Sequence, residues 1–303
     1  MLSEIFYWIL NISIIGSVCG LIIMALRKIK KLPRFAVYTL WLVPLIRLWI
    51  PFGVASKYSL LSLVSLFTTK TVVVWQELPE LTITNSIMSA DSYFPLEYKT
   101  DLLSRIYGIS SVIWIVVALA CIISSLALYL FTKTELENAV HIKENIYTSD
   151  KITSPAVYGI IKPKIIIPAG IAEGDTEYIV IHERVHIRRK DNFWRVVAVV
   201  TACVHWFNPL IWIFLKYFFA DAELACDNKV LKDLDESRSK GYATAVLTAS
   251  RGKAFFASAF GGAKTRVRIE NILSYKKLTL VSTLCFTALI IAIAVVLITN
   301  AAY

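Results

Sequence analysis

The sequence predicts a mainly α-helical membrane protein with one small α+β domain inserted among its apolar helices. Three observations carry that expectation. Of 303 residues, 57% are hydrophobic, and the mean hydropathy is +0.63, whereas a soluble domain is about 45–50% apolar. Several apolar stretches approach the ~20 residues a helix needs to cross the hydrocarbon core. One polar block, residues 132–195, interrupts them and carries strand and turn signals.

Residues 4–26 form the first apolar stretch. The run Arg27-Lys28-Ile29-Lys30-Lys31-Leu32-Pro33-Arg34 follows, with five positive charges in eight residues. By the positive-inside rule this loop is cytosolic and the N-terminus lies outside. Residues 35–52 return across the membrane and contain Pro44 and Arg47. A charge at that depth costs about 2.5–3.5 kcal/mol on insertion scales, so Arg47 either snorkels to the interface or pairs inside the bundle. Residues 53–108 read as an external loop, with strand or membrane-skimming character at Val72–Trp75 and Leu81–Thr84. Residues 109–131 form a third span, and 278–299 form the last. The expected domains are 1–131, three transmembrane helices with the external loop; 132–277, a cytosolic domain; and 278–303, a final transmembrane helix with a short external tail.

The formal net charge is +10. Much of the excess sits in short runs beside apolar stretches, which points to a lipid surface and away from a direct nucleic-acid partner. Five cysteines without a CxxC pair predict neither a disulfide framework nor a thiolate metal site. The opening residues carry no basic run ahead of the apolar stretch, so no cleaved leader is expected.

Inside the polar block, Ser154 to Pro168 reads as strands with turn punctuation. Pro163 and Pro168 cannot donate ladder hydrogen bonds, which favours an edge position for this segment. Asp175 or Thr176 is the expected cap of a helix over about 176–189. That helix carries His182-Glu183-Arg184-Val185-His186, an HExxH pattern. Residues four apart share a helix face, so both imidazoles can grip one metal ion. Glu183 follows the first histidine and can reach a metal-bound water, whose pKa zinc lowers from about 15.7 to about 7.

A catalytic zinc usually takes three protein ligands plus water. The third candidate is Glu223, in Asp221-Ala222-Glu223-Leu224-Ala225-Cys226-Asp227. Asp227, one helical turn on, is the candidate acceptor for the outer N–H of a ligand histidine, a contact that fixes tautomer and ring orientation. This pairing constrains the apolar segment 196–219. One full crossing would put Glu223 about 30 Å from the histidines. The segment is therefore expected to be a membrane-embedded hairpin broken near Asn208-Pro209, which leaves about four transmembrane helices plus this re-entrant pair.

Blander readings stand beside these. The HExxH segment also fits a salt-bridged surface helix, and Glu223 with Asp227 a solvated face. His205 reads first as a hairpin-packing residue and second as an oxyanion donor. Arg184, Arg188, Arg189 and Lys190 read as a membrane-flanking anchor, and Cys226 as a packed thiol.

Taken in order, Gly159-Ile160-Ile161-Lys162-Pro163 through Pro168, HERVH at 182–186, His205-Trp206-Phe207-Asn208-Pro209 and Glu223-Leu224-Ala225-Cys226-Asp227 resemble the integral-membrane antirepressor metallopeptidases of the BlaR/MecR type. The Arg47 region and Ser258-Ala259-Phe260-Gly261-Gly262 share the likeness, which covers nearly the whole chain. The resemblance implies a gluzincin-like cytosolic zinc endopeptidase domain set between membrane helices. It implies His182, His186 and Glu223 as zinc ligands and Glu183 as catalytic base. It further implies self-cleavage near Ser258, Ala259 and Phe260, followed by proteolytic loss of a transcriptional repressor. The beta-lactam-sensing members carry a penicillin-binding domain after the last span. Here four residues follow it, so any signal is expected to arrive through 53–108 or a partner protein.

The expected mechanism is hydrolysis of a peptide bond, with the substrate strand pairing along an edge over Ile160–Ile167, in particular Ile160, Ile161 and Ile165. The sequence leaves a homodimer open. Two alternatives compete: a housekeeping membrane protease of the HtpX or CAAX type, and a non-enzymatic membrane receptor or scaffold, against which the intact Glu183 argues.

Overall fold

A computed structural model of the protein describes residues 1–29, 31–50, 55–56, 59, 101–136, 139–249 and 262–301. The external loop expected over 53–108 falls largely outside the described residues, including Val72–Trp75 and Leu81–Thr84. So do Ser258, Ala259 and Phe260.

Helix α1 (Leu2–Arg27) is apolar all round, as a bilayer-spanning helix must be. Its last residue, Arg27, places positive charge at the helix C-terminus, where the dipole favours it. Helices α2 (Arg34–Leu40) and α3 (Leu42–Arg47) follow. The expected second span is therefore two short helices meeting at Trp41. Pro44 has no N–H to give the preceding turn, which explains why one continuous helix does not form there. Arg47 is buried, and its Nη1 donates to the carbonyl of Ile298 at 3.3 Å. Among the described residues, three helices are long and apolar enough to cross a membrane: α1, the stretch Arg105–Thr134 of α4 (Asp101–Glu135), and α10 (Leu280–Ile298). The second stretch is divided between α2 and α3, neither of which reaches that length.

Strands β1 (Ala55–Ser56) and β6 (Asn300–Ala301) pair in parallel. The main sheet contains β2 (Val140–Lys143), β3 (Ile146–Ser149), β4 (Ala156–Tyr158) and β5 (Lys164–Pro168), in the order β2-β3-β5-β4. The β3–β5 pair is parallel and the other two are antiparallel. This corrects the expected edge. β5 is central: Ile165 pairs with Ile146 on one side and Val157 on the other, and its side chain is buried. Pro163 precedes the strand and Pro168 ends it, so neither interrupts the ladder. Ile160 and Ile161 lie in the turn between β4 and β5 and face solvent. The sheet's edges are β2 and β4, and β4 is the edge beside β5.

Helix α5 (Glu173–Arg189) carries the HExxH segment. It begins three residues before the expected start, and no side chain caps it. Ala172 occupies the cap position, and Asp175 sits in the first turn. Helices α6 (Asp191–Val204) and α7 (Pro209–Lys232) form the anticipated hairpin. Asn208 makes the break. Its Oδ1 accepts from the Leu210 N–H at 3.0 Å, and Pro209 occupies the first helical turn, where a missing N–H costs nothing. Its Nδ2 donates to Ser13 Oγ at 2.8 Å and Ser17 Oγ at 2.7 Å, tying the hairpin tip to α1.

Two apolar cores result. The larger joins α1, α2, α3, α6, α7 and α10 through residues such as Ile23, Trp41, Ala202 and Phe214. α1 passes α7 so closely at Gly20 that a Cβ there would overlap the Phe214 ring. The smaller core lies beneath the HExxH helix, where Val185, Cys226, Leu231 and Ile272 meet Tyr242 and Val246 of α8 (Glu236–Ala249). Ile272 belongs to α9 (Thr265–Leu273). Between the cores, Asp221 is buried and accepts from Arg27 Nε at 2.7 Å and Trp41 Nε1 at 2.9 Å. This anchors α7 to α1 and to the α2–α3 junction two residues before Glu223.

Candidate metal centre

The helical spacing brings the imidazoles of His182 and His186 together, with Nε2 atoms 3.1 Å apart. The returning hairpin delivers Glu223 to the same point. Its Oε2 lies 3.5 Å from His182 Nε2 and its Oε1 3.5 Å from His186 Nε2. Glu183 is buried on the same helix. Three residues separated by as many as 41 positions therefore meet at one point.

Each imidazole is oriented by its outer nitrogen. His186 Nδ1 meets Asp191 Oδ2 at 2.6 Å. Asp191 comes within reach because Lys190 takes a left-handed conformation, φ 56°, that ends α5 and starts α6 at once. His182 Nδ1 meets the Tyr242 hydroxyl at 2.7 Å, and that hydroxyl donates to Asp227 Oδ1 at 2.6 Å. Asp227 therefore sits behind a phenol, 3.4 Å from the imidazole it was expected to hold directly.

Two arginines flank the carboxylates. Arg195 Nη2 donates to Glu223 Oε1 at 2.6 Å. Arg268, from α9, donates to both oxygens of Asp227 at 2.6 and 2.9 Å. It also lies 3.3 Å from Glu223 Oε2 and 3.3 Å from His182 Nε2. The Cys226 thiol donates to the His182 carbonyl at 3.4 Å, and its sulfur lies within 4.8 Å of the nearest ligand atoms of both histidines.

The electrostatics favour a cation. Burial alone would raise the Glu223 carboxyl, but the charge of His186, contacts from both histidines and Arg268 hold it well below the usual range. Burial alone would lower His182, yet the neighbouring Cys226 sulfur and Glu223 push it up to about 9 against the opposing charge of Arg268. His186 is raised in the same way. Asp191 is lowered: its burial is outweighed by the hydrogen bond and charge of His186. The pocket thus stabilises positive charge where the two Nε2 atoms converge. Two neutral imidazole nitrogens, a carboxylate oxygen and fixed outer N–H groups are the donor set that suits a divalent zinc-like ion.

His205 stands apart. It ends α6, and its Nε2 lies 3.3 Å from the Leu48 carbonyl. The fourteen residues of α6 separate it from Asp191, a helix length of about 21 Å. His205 packs the hairpin and has no reach to the metal pocket. Asp191 had a faint sequence signal, a carboxylate five residues after the second histidine. Tyr242, Arg195 and Arg268 had none, since they are common residues brought in by separate helices.

The profile of the BlaR1 peptidase M56 family matches residues 7–272. The chain is similar to Regulatory protein BlaR1 of Bacillus licheniformis, 33% identical over 123 residues, which is 40% of this chain and 20% of that protein. It is similar to the Methicillin resistance mecR1 protein of Staphylococcus aureus, 32% identical over 106 residues, 34% of this chain and 18% of that one. Regulatory protein BlaR1 of Staphylococcus aureus aligns over 236 residues at 23% identity, covering 65% of this chain and 40% of the relative. The matches thus span between 18% and 40% of these relatives. Given a profile match over most of its length, the chain belongs to the BlaR1 peptidase M56 family.

Proposed function

We propose that the protein is a membrane-embedded zinc endopeptidase that hydrolyses peptide bonds on the cytosolic side in signal-dependent proteolysis. The observation that carries this reading is the convergence of His182, His186 and Glu223 within 3.5 Å, with Glu183 buried beside them. In this reading residues 132–277 are the peptidase domain, with the hairpin 196–219 in the membrane. Residues 1–131 and 278–303 supply the spanning helices, and both termini lie outside. The family relationship favours a transcriptional repressor and the chain's own 258–260 region as substrates over the broad substrates of a housekeeping protease.

His182, His186 and Glu223 hold the ion. When bound, zinc supplies Lewis-acid polarisation and a water acidic enough to react near neutral pH. Glu183 takes the proton of the attacking water and returns it to the leaving amine. Asp191 and the Tyr242–Asp227 pair keep both outer imidazole N–H groups engaged, which leaves the Nε2 lone pairs for the ion. Arg268 and Arg195 keep Glu223 ionised and aimed. The substrate strand adds along β4, the sheet edge on this side of β5.

The test compares purified wild type with Glu183→Ala in detergent, by bound zinc and by intact mass over time. Zinc in both, with fragments ending near residue 260 only in the wild type, is the expected result. No zinc in the wild type under metal-retaining conditions overturns the ligand assignment.

A further inference from the structure

Asp191 is one carboxylate serving two sides of the molecule. Its Oδ2 faces His186 Nδ1 at 2.6 Å. Its Oδ1 accepts from the hydroxyl of Tyr38 at 2.8 Å and lies 3.3 Å from Arg189 Nε. Tyr38 belongs to α2, 153 positions upstream, in the bundle formed by the N-terminal apolar helices. Its ring stacks on Phe218 of α7, centroids 5.5 Å apart, and the Arg189 guanidinium lies 4.2 Å from the ring centroid. Tyr38, Asp191 and His186 are all buried.

We propose that Tyr38 is a positioning residue of the metal centre: acting through Asp191, its hydroxyl sets the orientation of the His186 imidazole, so the N-terminal membrane bundle is a structural part of the peptidase site. The inference rests on reading His182, His186 and Glu223 as a metal site.

The argument is geometric. An imidazole turns about its last side-chain torsion, which is broad, and only its outer nitrogen can fix it before an ion arrives. The carboxylate that fixes His186 must itself be fixed. Asp191 opens α6, next to the left-handed Lys190, where the backbone alone leaves its side-chain torsions free. The Tyr38 hydroxyl and the Arg189 edge pin one oxygen, and the other is thereby aimed at His186. A buried carboxylate that loses a donor pays desolvation without compensation and reorients to recover it. Tyr38 is held in turn by rings and charge from α5 and α7, the two helices that carry the candidate ligands. Asp221 makes a second tie of the same kind, taking donors from Arg27 and Trp41 beside Glu223. A shift of α2 against α5 therefore reaches both His186 and Glu223.

The test uses the full chain in detergent and measures the zinc Kd by competition with a chromophoric chelator. The variants are Tyr38→Phe, Asp191→Asn, their double, and, as a packing control, Ile211→Ala, buried near the start of α7 and twelve positions from Glu223, each with its metal-free Tm. Tyr38→Phe keeps the ring and removes only the hydroxyl. It is expected to raise Kd by about 10-fold, the lower end for loss of such an outer contact, at a Tm close to wild type. Asp191→Asn is expected to raise Kd at least as far, and the double to match Asp191→Asn alone, because Tyr38 acts through Asp191. Ile211→Ala is expected to lower Tm and leave Kd unchanged. An unchanged Kd for Tyr38→Phe overturns the inference while leaving wild-type zinc binding intact. So does a full multiplicative effect in the double, or a Kd that follows Tm across Tyr38→Phe and Ile211→Ala. A wild type that binds no zinc overturns the metal-site reading and this inference together.

Discussion

The hydroxyl of Tyr242 stands between His182 and Asp227, accepting from one at 2.7 Å and donating to the other at 2.6 Å. Histidine and carboxylate are left 3.4 Å apart. The phenol is therefore the group that sets the His182 tautomer, and Asp227 sets the phenol. Tyr242→Phe is expected to weaken zinc binding by roughly tenfold, read by chelator competition. If Asp227→Asn weakened zinc and Tyr242→Phe did not, the carboxylate would be acting directly.

Arg268, from α9, faces both Asp227 and Glu223. Removing it leaves a buried carboxylate short of its partner. Arg268→Ala is expected to cost about 3 kcal/mol, as broken buried pairs do. Arg268→Lys is expected to restore only part of this, because an ammonium cannot fork across both Asp227 oxygens. Denaturant unfolding of the two variants measures the difference.

Cys226 lies within 4.8 Å of the histidine ligand atoms, close enough to compete with Glu223 as third donor. Its thiol is already committed to the His182 carbonyl. Cobalt-loaded protein is therefore expected to show no near-ultraviolet thiolate charge-transfer band, and Cys226→Ser is expected to retain one metal per chain. A strong band that disappears in Cys226→Ser would instead make the sulfur a ligand.

Gly20 meets Phe214 so closely that no side chain fits without displacement of the ring. Both lie where α1 packs on the hairpin. Gly20→Ala is expected to destabilise by about 1–3 kcal/mol through overpacking, seen as a lower Tm in detergent. A Tm equal to wild type would mean that α1 and α7 separate readily at this point.

The sequence made local features plain and distant ones invisible. HExxH spacing fixes which face the two histidines share, so a helix there placed them correctly. The need to return Glu223 to them forced a hairpin, and Asn208-Pro209 marked its break. By contrast, Asp191, Tyr38, Tyr242 and Arg268 reach the site from four helices, and no periodicity links residues as far apart as 38 and 191. The strand edge was misplaced because Pro163 precedes β5 and Pro168 is its last residue, so neither interrupts the middle of the ladder. The second apolar stretch was long enough for one helix, but Pro44 and the junction at Trp41 divide it.

Asn208 has one further consequence, which concerns parity. An apolar run as long as 196–219 ordinarily changes the side of the membrane on which the following chain lies. In the topology proposed above, a single amide, bonded to Ser13, Ser17 and the Leu210 N–H, turns an odd number of passages into an even one. In that topology every residue from Asp221 to the last helix owes its sidedness to the turn. Had the segment run straight, the two halves of the metal pocket would face different compartments, with all their residues unchanged.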